Sequence, residues 1–243
     1  KEGDEIIVSE SEHHSDLVPW QMMCGRKHAR LKVLPVDEEG RLRVDLLEGM
    51  LCDRTKLVCV THVSNVLGLV NPVKEIAGIC HSHDCRLLVD GAQGAVHGHP
   101  DLKDIDCDFY AFSGHKMYAA PGTGVLYGKK ELLDAMPPYM GGGEMVGNVK
   151  WSGTTYAPVP LKFEAGTQNF AGAPTLKPAT EMLELMEDID IERNTKEITA
   201  YLQEELPKIP GLRLYGIPGE AYGHDFRKIA LFSFSVEHCH HED

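Results

Sequence analysis

Apolar residues in this chain fall into short blocks divided by polar turns, and the blocks have two kinds of spacing. Glu5-Ile6-Ile7-Val8, Leu57-Val58-Cys59-Val60 and Arg86-Leu87-Leu88-Val89 are near-continuous apolar runs of strand length. Such runs predict strands buried on both faces. Residues 29–35 alternate, with Leu31, Val33 and Leu34 set against Arg30 and Lys32, and predict another strand. Helical spacing lies between them. It predicts helices over 17–26, with Pro19 in the first turn, over 45–51 on Leu46, Leu47 and Met50, and over 72–82 with Val73, Ile76, Ala77 and Cys80 on one face. Alternation of strand and helix predicts an α/β fold around a mainly parallel sheet. Phe109-Tyr110-Ala111-Phe112 and Gly124-Val125-Leu126-Tyr127-Gly128 add two strands with no helical stretch between them, so this pair is antiparallel or joined by a turn. Polar residues Asn65, Asp90 and Ser113 follow three strand ends, where open α/β sheets place their ligands.

Regularity fades over 140–169, where Gly141-Gly142-Gly143 and Ser152-Gly153-Thr154-Thr155 predict long exposed loops, functional or at an interface. A long helix is expected over 173–206, broken near 188–192 where charge density rises, and ended by Pro207 and Pro210-Gly211. Two strands follow, over 212–215 and 229–235, and mark the start of a smaller domain.

Composition narrows the function classes. The 243 residues are 42% hydrophobic and 25% charged, as in a soluble globular protein, and no apolar run is long enough for a transmembrane helix. The opening residues, KEGDEIIVSE, lack the apolar core of a secretory signal. A formal net charge of −13 with no basic stripe argues against nucleic acid as a partner. Seven cysteines without a CxxC pair argue against a disulfide framework or zinc knuckle, and predict buried thiols in a cytoplasmic protein.

The candidate chemistry centres on Ser113-Gly114-His115-Lys116 and on Val89-Asp90-Gly91-Ala92-Gln93. They look like two halves of a pyridoxal phosphate site. A lone lysine after a strand is ordinarily a solvated surface group. Here a glycine lets the backbone approach a ligand, and Ser113 and His115 offer phosphate donors. Lys116 would hold the cofactor aldehyde as a Schiff base, which requires a neutral amine. Asp90, otherwise a simple turn residue, would keep the pyridine nitrogen protonated, and Gln93 would reach the phenolic oxygen. His13 or His14 would stack on the ring. Glu237-His238-Cys239-His240-His241 offers ligand-type side chains, but adjacent residues seldom converge tetrahedrally on a metal, and no metal site is assigned.

Five ordered stretches carry a resemblance over nearly the whole chain: Glu12-His13-His14-Ser15-Asp16-Leu17-Val18-Pro19-Trp20, Thr61-His62-Val63-Ser64-Asn65-Val66-Leu67-Gly68, Val89-Asp90-Gly91-Ala92-Gln93, Asp108-Phe109-Tyr110-Ala111-Phe112-Ser113-Gly114-His115-Lys116 and Phe163-Glu164-Ala165-Gly166-Thr167-Gln168-Asn169. The chain resembles the large domain of group II cysteine desulfurases and selenocysteine lyases, within the class V aminotransferases of pyridoxal phosphate fold type I. The resemblance implies catalytic roles for Lys116 and His13, the first histidine being the stacking one. It implies cofactor contacts from His13, Asn65, Asp90, Ala92, Gln93, Ser113, His115 and Lys116. It also implies a homodimer in which Thr167 reaches the phosphate of the partner's site and the 141–143 loop lies near the interface. The implied reaction converts L-cysteine to L-alanine and an enzyme-bound persulfide, whose sulfur passes to an acceptor protein for iron–sulfur cluster assembly.

The family's phosphate-gripping turn precedes the region matched here, and its nucleophilic cysteine and carboxylate-binding arginine follow it. The expectation is therefore an incomplete large domain over 1–175, a connecting helical region over 176–206, and the beginning of a small domain over 207–243. Cys239 matches the strand end where that domain begins, not the nucleophile loop. L-Selenocysteine is an alternative substrate. Other class V enzymes, such as kynureninase-like hydrolases or isopenicillin-epimerase-like proteins, and a domain that only folds or dimerises, are the competing readings.

Overall fold

The computed structural model describes residues 1–97, 100–187, 191–216 and 228–240. Among these residues ten strands run in chain order: β1 (Glu5–Ser9), β2 (Arg30–Leu34), β3 (Thr55–Thr61), β4 (Arg86–Asp90), β5 (Phe109–Ser113), β6 (Gly124–Gly128), β7 (Val146–Lys150), β8 (Gly153–Tyr156), β9 (Leu212–Tyr215) and β10 (Ser233–Val236). The helices are α1 (His14–Lys27), α2 (Leu47–Met50), α3 (Val73–Ser82), α4 (Gly94–His97), α5 (Leu102–Ile105), α6 (Lys130–Ala135), α7 (Leu176–Glu187) and α8 (Ile191–Glu205).

Six strands form one sheet in the order β2-β1-β3-β4-β5-β6. All neighbours are parallel except β5 and β6, which pair antiparallel through Phe109↔Gly128 to Ser113↔Gly124. This is the expected α/β architecture, with the last pair antiparallel. Alternation along β1 and β3 divides the core. Ile7, Val58 and Val60 pack with Leu34, Leu47, Val73, Ile76, Ala77 and Cys80 on one face. Ile6, Val8 and Cys59 pack with Cys24, Leu17 and Trp20 on the other. Each large side chain so buried contributes roughly 1.5–3 kcal/mol. The parallel strands β1, β3, β4 and β5 end at Ser9, Thr61, Asp90 and Ser113, all on one edge of the sheet.

Several elements depart from the sequence reading. Helix α1 starts at His14, because His13 caps it: the His13 side chain accepts from the Ser15 amide. Pro19 therefore lies inside the helix rather than in its first turn. The stretch expected to be irregular contains the hairpin β7–β8, whose residues are almost all exposed and so show no apolar alternation. The expected strand over 229–235 divides. Lys228 bridges Leu69 and the Ile229 amide donates to Gly68 O at 2.9 Å, so pairing with β9 begins only at Ser233. The expected long helix forms α7 and α8, and residues 188–190, within the predicted break, lie outside the described residues.

Candidate active site

Four loops at the carboxyl edge of the sheet bring the candidate residues together. The β1–α1 loop carries His13, the β3–α3 loop Asn65, the end of β4 and the loop after it Asp90, Ala92 and Gln93, and the end of β5 and the connection after it Ser113, His115 and Lys116. Asp90 closes β4. The Ala92 amide donates to Asp90 Oδ1 at 2.8 Å, which fixes the carboxylate and leaves Oδ2 without a hydrogen bond among the described residues. The Gly91 amide donates to Ala111 O, and the His62 amide to Asp90 O, each at 2.8 Å. These bonds tie the turn after β4 to both neighbouring strands.

The backbone of this turn lies against aromatic side chains. A Cβ on Gly91 would lie 1.9 Å from Tyr110 Cε1, and one on Gly94 would meet His62 Nδ1 at 2.5 Å and Tyr110 Oη at 2.6 Å. His62 and Tyr110 are themselves buried and joined, Nδ1 to Oη, at 2.9 Å. Burial pushes the Tyr110 hydroxyl well above its ordinary range, so it stays protonated. Glycine at 91 and 94 is thus required by close packing, and the turn keeps a small, rigid backbone facing the edge.

Lys116 lies on a 3-10 turn, Gly114–Met117, that Tyr118 closes in the left-handed region at φ 68°. Hydrogen bonds hold this turn from behind. The Gly114 amide donates to Thr123 O at 2.9 Å, and the Ala120 amide to Thr175 Oγ1 at 2.9 Å. Lys116 is half-buried, and its amine has no hydrogen bond or ion pair among the described residues. The side chains of Asn65, Gln93, Ser113 and His115 are likewise without such a partner there. The His13 ring is oriented by Ser15, whose Oγ lies 2.8 Å from Nδ1, and it sits 6.0 Å from the His14 ring, centroid to centroid.

Thr167 stands apart from this group. It is exposed, on a loop tied to the 141–143 segment by the Gly166 amide donating to Gly143 O at 3.1 Å. Two residues on, Asn169 Oδ1 accepts from the Gly172 amide at 2.8 Å, which links the loop to the segment that carries Thr175. Cys52 and Cys239 are the exposed cysteines; the other five are buried. Cys52 donates to Glu5 at the opposite edge of the sheet, and Cys239 follows β10. No cluster of three or more metal-ligating side chains occurs among the described residues.

A carboxylate, an amine and several uncommitted donors around a glycine-floored turn fit a flat ring with a basic nitrogen, an aldehyde and an anionic arm. They offer no metal-binding constellation. A model of the family described as aminotransferase class-V matches residues 1–243. The chain belongs to the aminotransferase class-V family. Relatives within this class V group include a cysteine desulfurase of Cronobacter sakazakii, 45% identical over 239 residues, which cover 98% of this chain and 57% of that protein. Among solved structures, a cysteine desulfurase of Escherichia coli matches with TM-score 0.89 and 39% identity over 100% of this chain and 59% of its own. One from Thermococcus onnurineus matches with TM-score 0.89 and 33% identity, over 99% and 58%. The chain thus spans less than two thirds of the length of these relatives.

Some contributors carry no obvious mark in the sequence. Gly91, Gly94, His62 and Tyr110 lie within the quoted motifs, yet their shared packing depends on strand register. Glu12 and Asp16 flank His13, and only the fold places them behind Asp90.

Proposed function

We propose that this chain is the pyridoxal phosphate-binding part of a cysteine desulfurase, which takes sulfur from L-cysteine and leaves L-alanine and an enzyme-bound persulfide. The observation that carries this reading is the half-buried amine of Lys116, without a hydrogen bond or ion pair among the described residues, on the turn after β5, the strand that pairs with β4 and its braced terminal carboxylate Asp90. When bound, the pyridoxal ring supplies an electron sink for the substrate α-carbon.

Lys116 Nζ would bind the aldehyde carbon, and later hold the proton that moves at the α-carbon. No ion pair with another described residue has to be broken to free this amine. Asp90 Oδ2 would accept the ring N–H, while Oδ1 remains held by Ala92. His13, oriented by Ser15, would stack on the ring, and Ala92 would pack beneath it. Gln93 would meet the phenolic oxygen, Asn65 the same side or the substrate carboxylate, and Ser113 and His115 the phosphate. We assign the sulfur-accepting cysteine to the remaining length of the longer relatives, because Cys52 lies at the wrong edge and Cys239 follows β10.

The same reading makes the enzyme a homodimer in which Thr167 serves the partner's site. Exposed Tyr139, Trp151 and Phe170, on and around the β7–β8 hairpin, support an interface there. The separate β9–β10 sheet supports a division into a large domain over 1–175, a helical connection over 176–206 and a small domain from 207. Free thiols support a cytoplasmic setting, and no helix among the described residues is long and apolar enough to cross a membrane. An acceptor protein for the sulfur, and use of L-selenocysteine, belong to the whole enzyme.

The test is addition of pyridoxal phosphate to the chain, followed by borohydride reduction and peptide mapping. The reading expects a visible absorbance band and a label on Lys116, both lost in Lys116→Ala. Labelling of another lysine overturns it. Failure of the full-length enzyme to release alanine and sulfide from cysteine overturns the substrate.

A further inference from the structure

Behind Asp90 lie two carboxyl groups that the reading above leaves without a task. Glu12 is in the β1–α1 loop. Its Oε1 accepts from the Thr61 amide at 2.7 Å, at the end of β3, and from the Ser9 hydroxyl, at the end of β1. Asp16 lies in the first turn of α1, is 7% exposed, and accepts from the Trp20 indole N–H through Oδ1 at 2.8 Å. The remaining oxygens, Glu12 Oε2 and Asp16 Oδ2, are buried and receive no donor from the described residues. Glu12 and Asp16 lie close enough for each carboxyl to act on the ionisation of the other. Two carboxylates cannot hydrogen-bond without a proton, whereas one proton between them satisfies both orphaned oxygens.

We propose that Glu12 keeps its proton at neutral pH and donates it to Asp16 Oδ2, forming a positioning dyad. The dyad ties the ends of β1 and β3 to the helix capped by His13, and it sets one negative charge behind Asp90. Burial pushes both carboxyls up, and the hydrogen bond raises Glu12 while lowering Asp16, which makes Glu12 the donor. The groups facing the pair are Ser9 from β1, Cys59 and Thr61 from β3, Trp20 from α1, and Asp90 from β4. None is a cation. The Cys59 thiol is itself held protonated by burial and by the Asp16 charge. The proton on Glu12 is therefore what limits the charge of this acidic pocket. A fixed anion at Asp16 supports Asp90 in keeping a ring nitrogen protonated, and this last role rests on the cofactor reading above.

Two measurements on the whole chain separate the claims. Without added cofactor, difference infrared spectroscopy at neutral pH should show the carbonyl stretch of a protonated carboxyl. It should vanish in Glu12→Gln, whose amide preserves both the acceptor for Thr61 and a donor for Asp16, and persist in Asp90→Asn. Absence of the band, or its persistence in Glu12→Gln, overturns the dyad whether or not cofactor binds. With pyridoxal phosphate bound, Asp16→Asn should shift the pH transition of the visible band to lower pH, and Glu12→Gln should shift it less. An unmoved transition in Asp16→Asn overturns the supporting role of its charge. A wild-type chain that takes up no cofactor overturns the reading of the site, and the infrared result alone then decides the dyad.

Discussion

Gly91→Ala should be among the most damaging single-methyl additions in this chain. The new Cβ would lie 1.9, 2.2 and 2.7 Å from Tyr110 Cε1, Cζ and Cδ1. Carbon atoms rest at about 3.5–4.0 Å, so the ring would have to retreat by more than an ångström. It has little room to do so. Tyr110 is 1% exposed, bonds His62 at 2.9 Å, and packs edge-on against Phe112 at 6.5 Å between centroids. Overpacking of this kind costs roughly 1–3 kcal/mol, and loss of the hydroxyl's hydrogen bond adds roughly 0.5–1.5. A total of about 3 kcal/mol corresponds to a fall in Tm of about 6–12 °C for a protein of this size. Gly91 does not adopt a left-handed φ, so the cost is the ring and not the backbone. Thermal and urea unfolding of Gly91→Ala, Tyr110→Leu and the double variant make the check. The smaller side chain should recover at least about 1 kcal/mol in the cycle. A destabilisation below about 0.5 kcal/mol, or a strictly additive cycle, would mean that the Tyr110 ring does not confine position 91.

Buried Lys162 donates to Asp134 O at 2.9 Å and Met136 O at 2.8 Å, closing the end of α6. Lys162→Met should cost about 2–3 kcal/mol in urea unfolding by leaving those carbonyls without their donor. At the opposite edge of the sheet, the Lys32 ammonium, helped by Cys52 and Arg54, holds the Glu5 carboxyl down to about 2. A depressed folded value means that stability is full above the ordinary value of 4.5 and is lost as pH falls through about 2, so Glu5→Gln should flatten unfolding free energy against pH in that window. Thr175→Val removes the hydroxyl that receives the Ala120 amide at 2.9 Å. It should weaken pyridoxal phosphate binding about threefold to tenfold, measured by absorbance titration, with about 1 kcal/mol lost in stability.

Much of the central sheet was legible because its strands are short, apolar and followed by polar residues. Val73, Ile76, Ala77 and Cys80 were read as one helix face and are all buried. The positions of Asn65, Asp90 and Ser113 at or beyond strand ends were legible for the same reason, since parallel strands end on a common edge. What escaped depends on partners distant in sequence. The β7–β8 hairpin has no buried face to impose alternation. The start of α1 was misplaced because His13, an unusual cap, accepts from Ser15. The claims of Tyr110 on Gly91 and Gly94, and of Thr61 on Glu12, exist only once β3, β4 and β5 are in register.

The central claim is that Lys116 and Asp90 grip opposite parts of one ring, and a crystal structure of the chain soaked with pyridoxal phosphate tests it most directly. The expected electron density shows a covalent bond from Lys116 Nζ to the aldehyde carbon, with the ring nitrogen hydrogen-bonded to Asp90. A cofactor attached elsewhere, or one bound to Lys116 with its nitrogen turned away from Asp90, would contradict it.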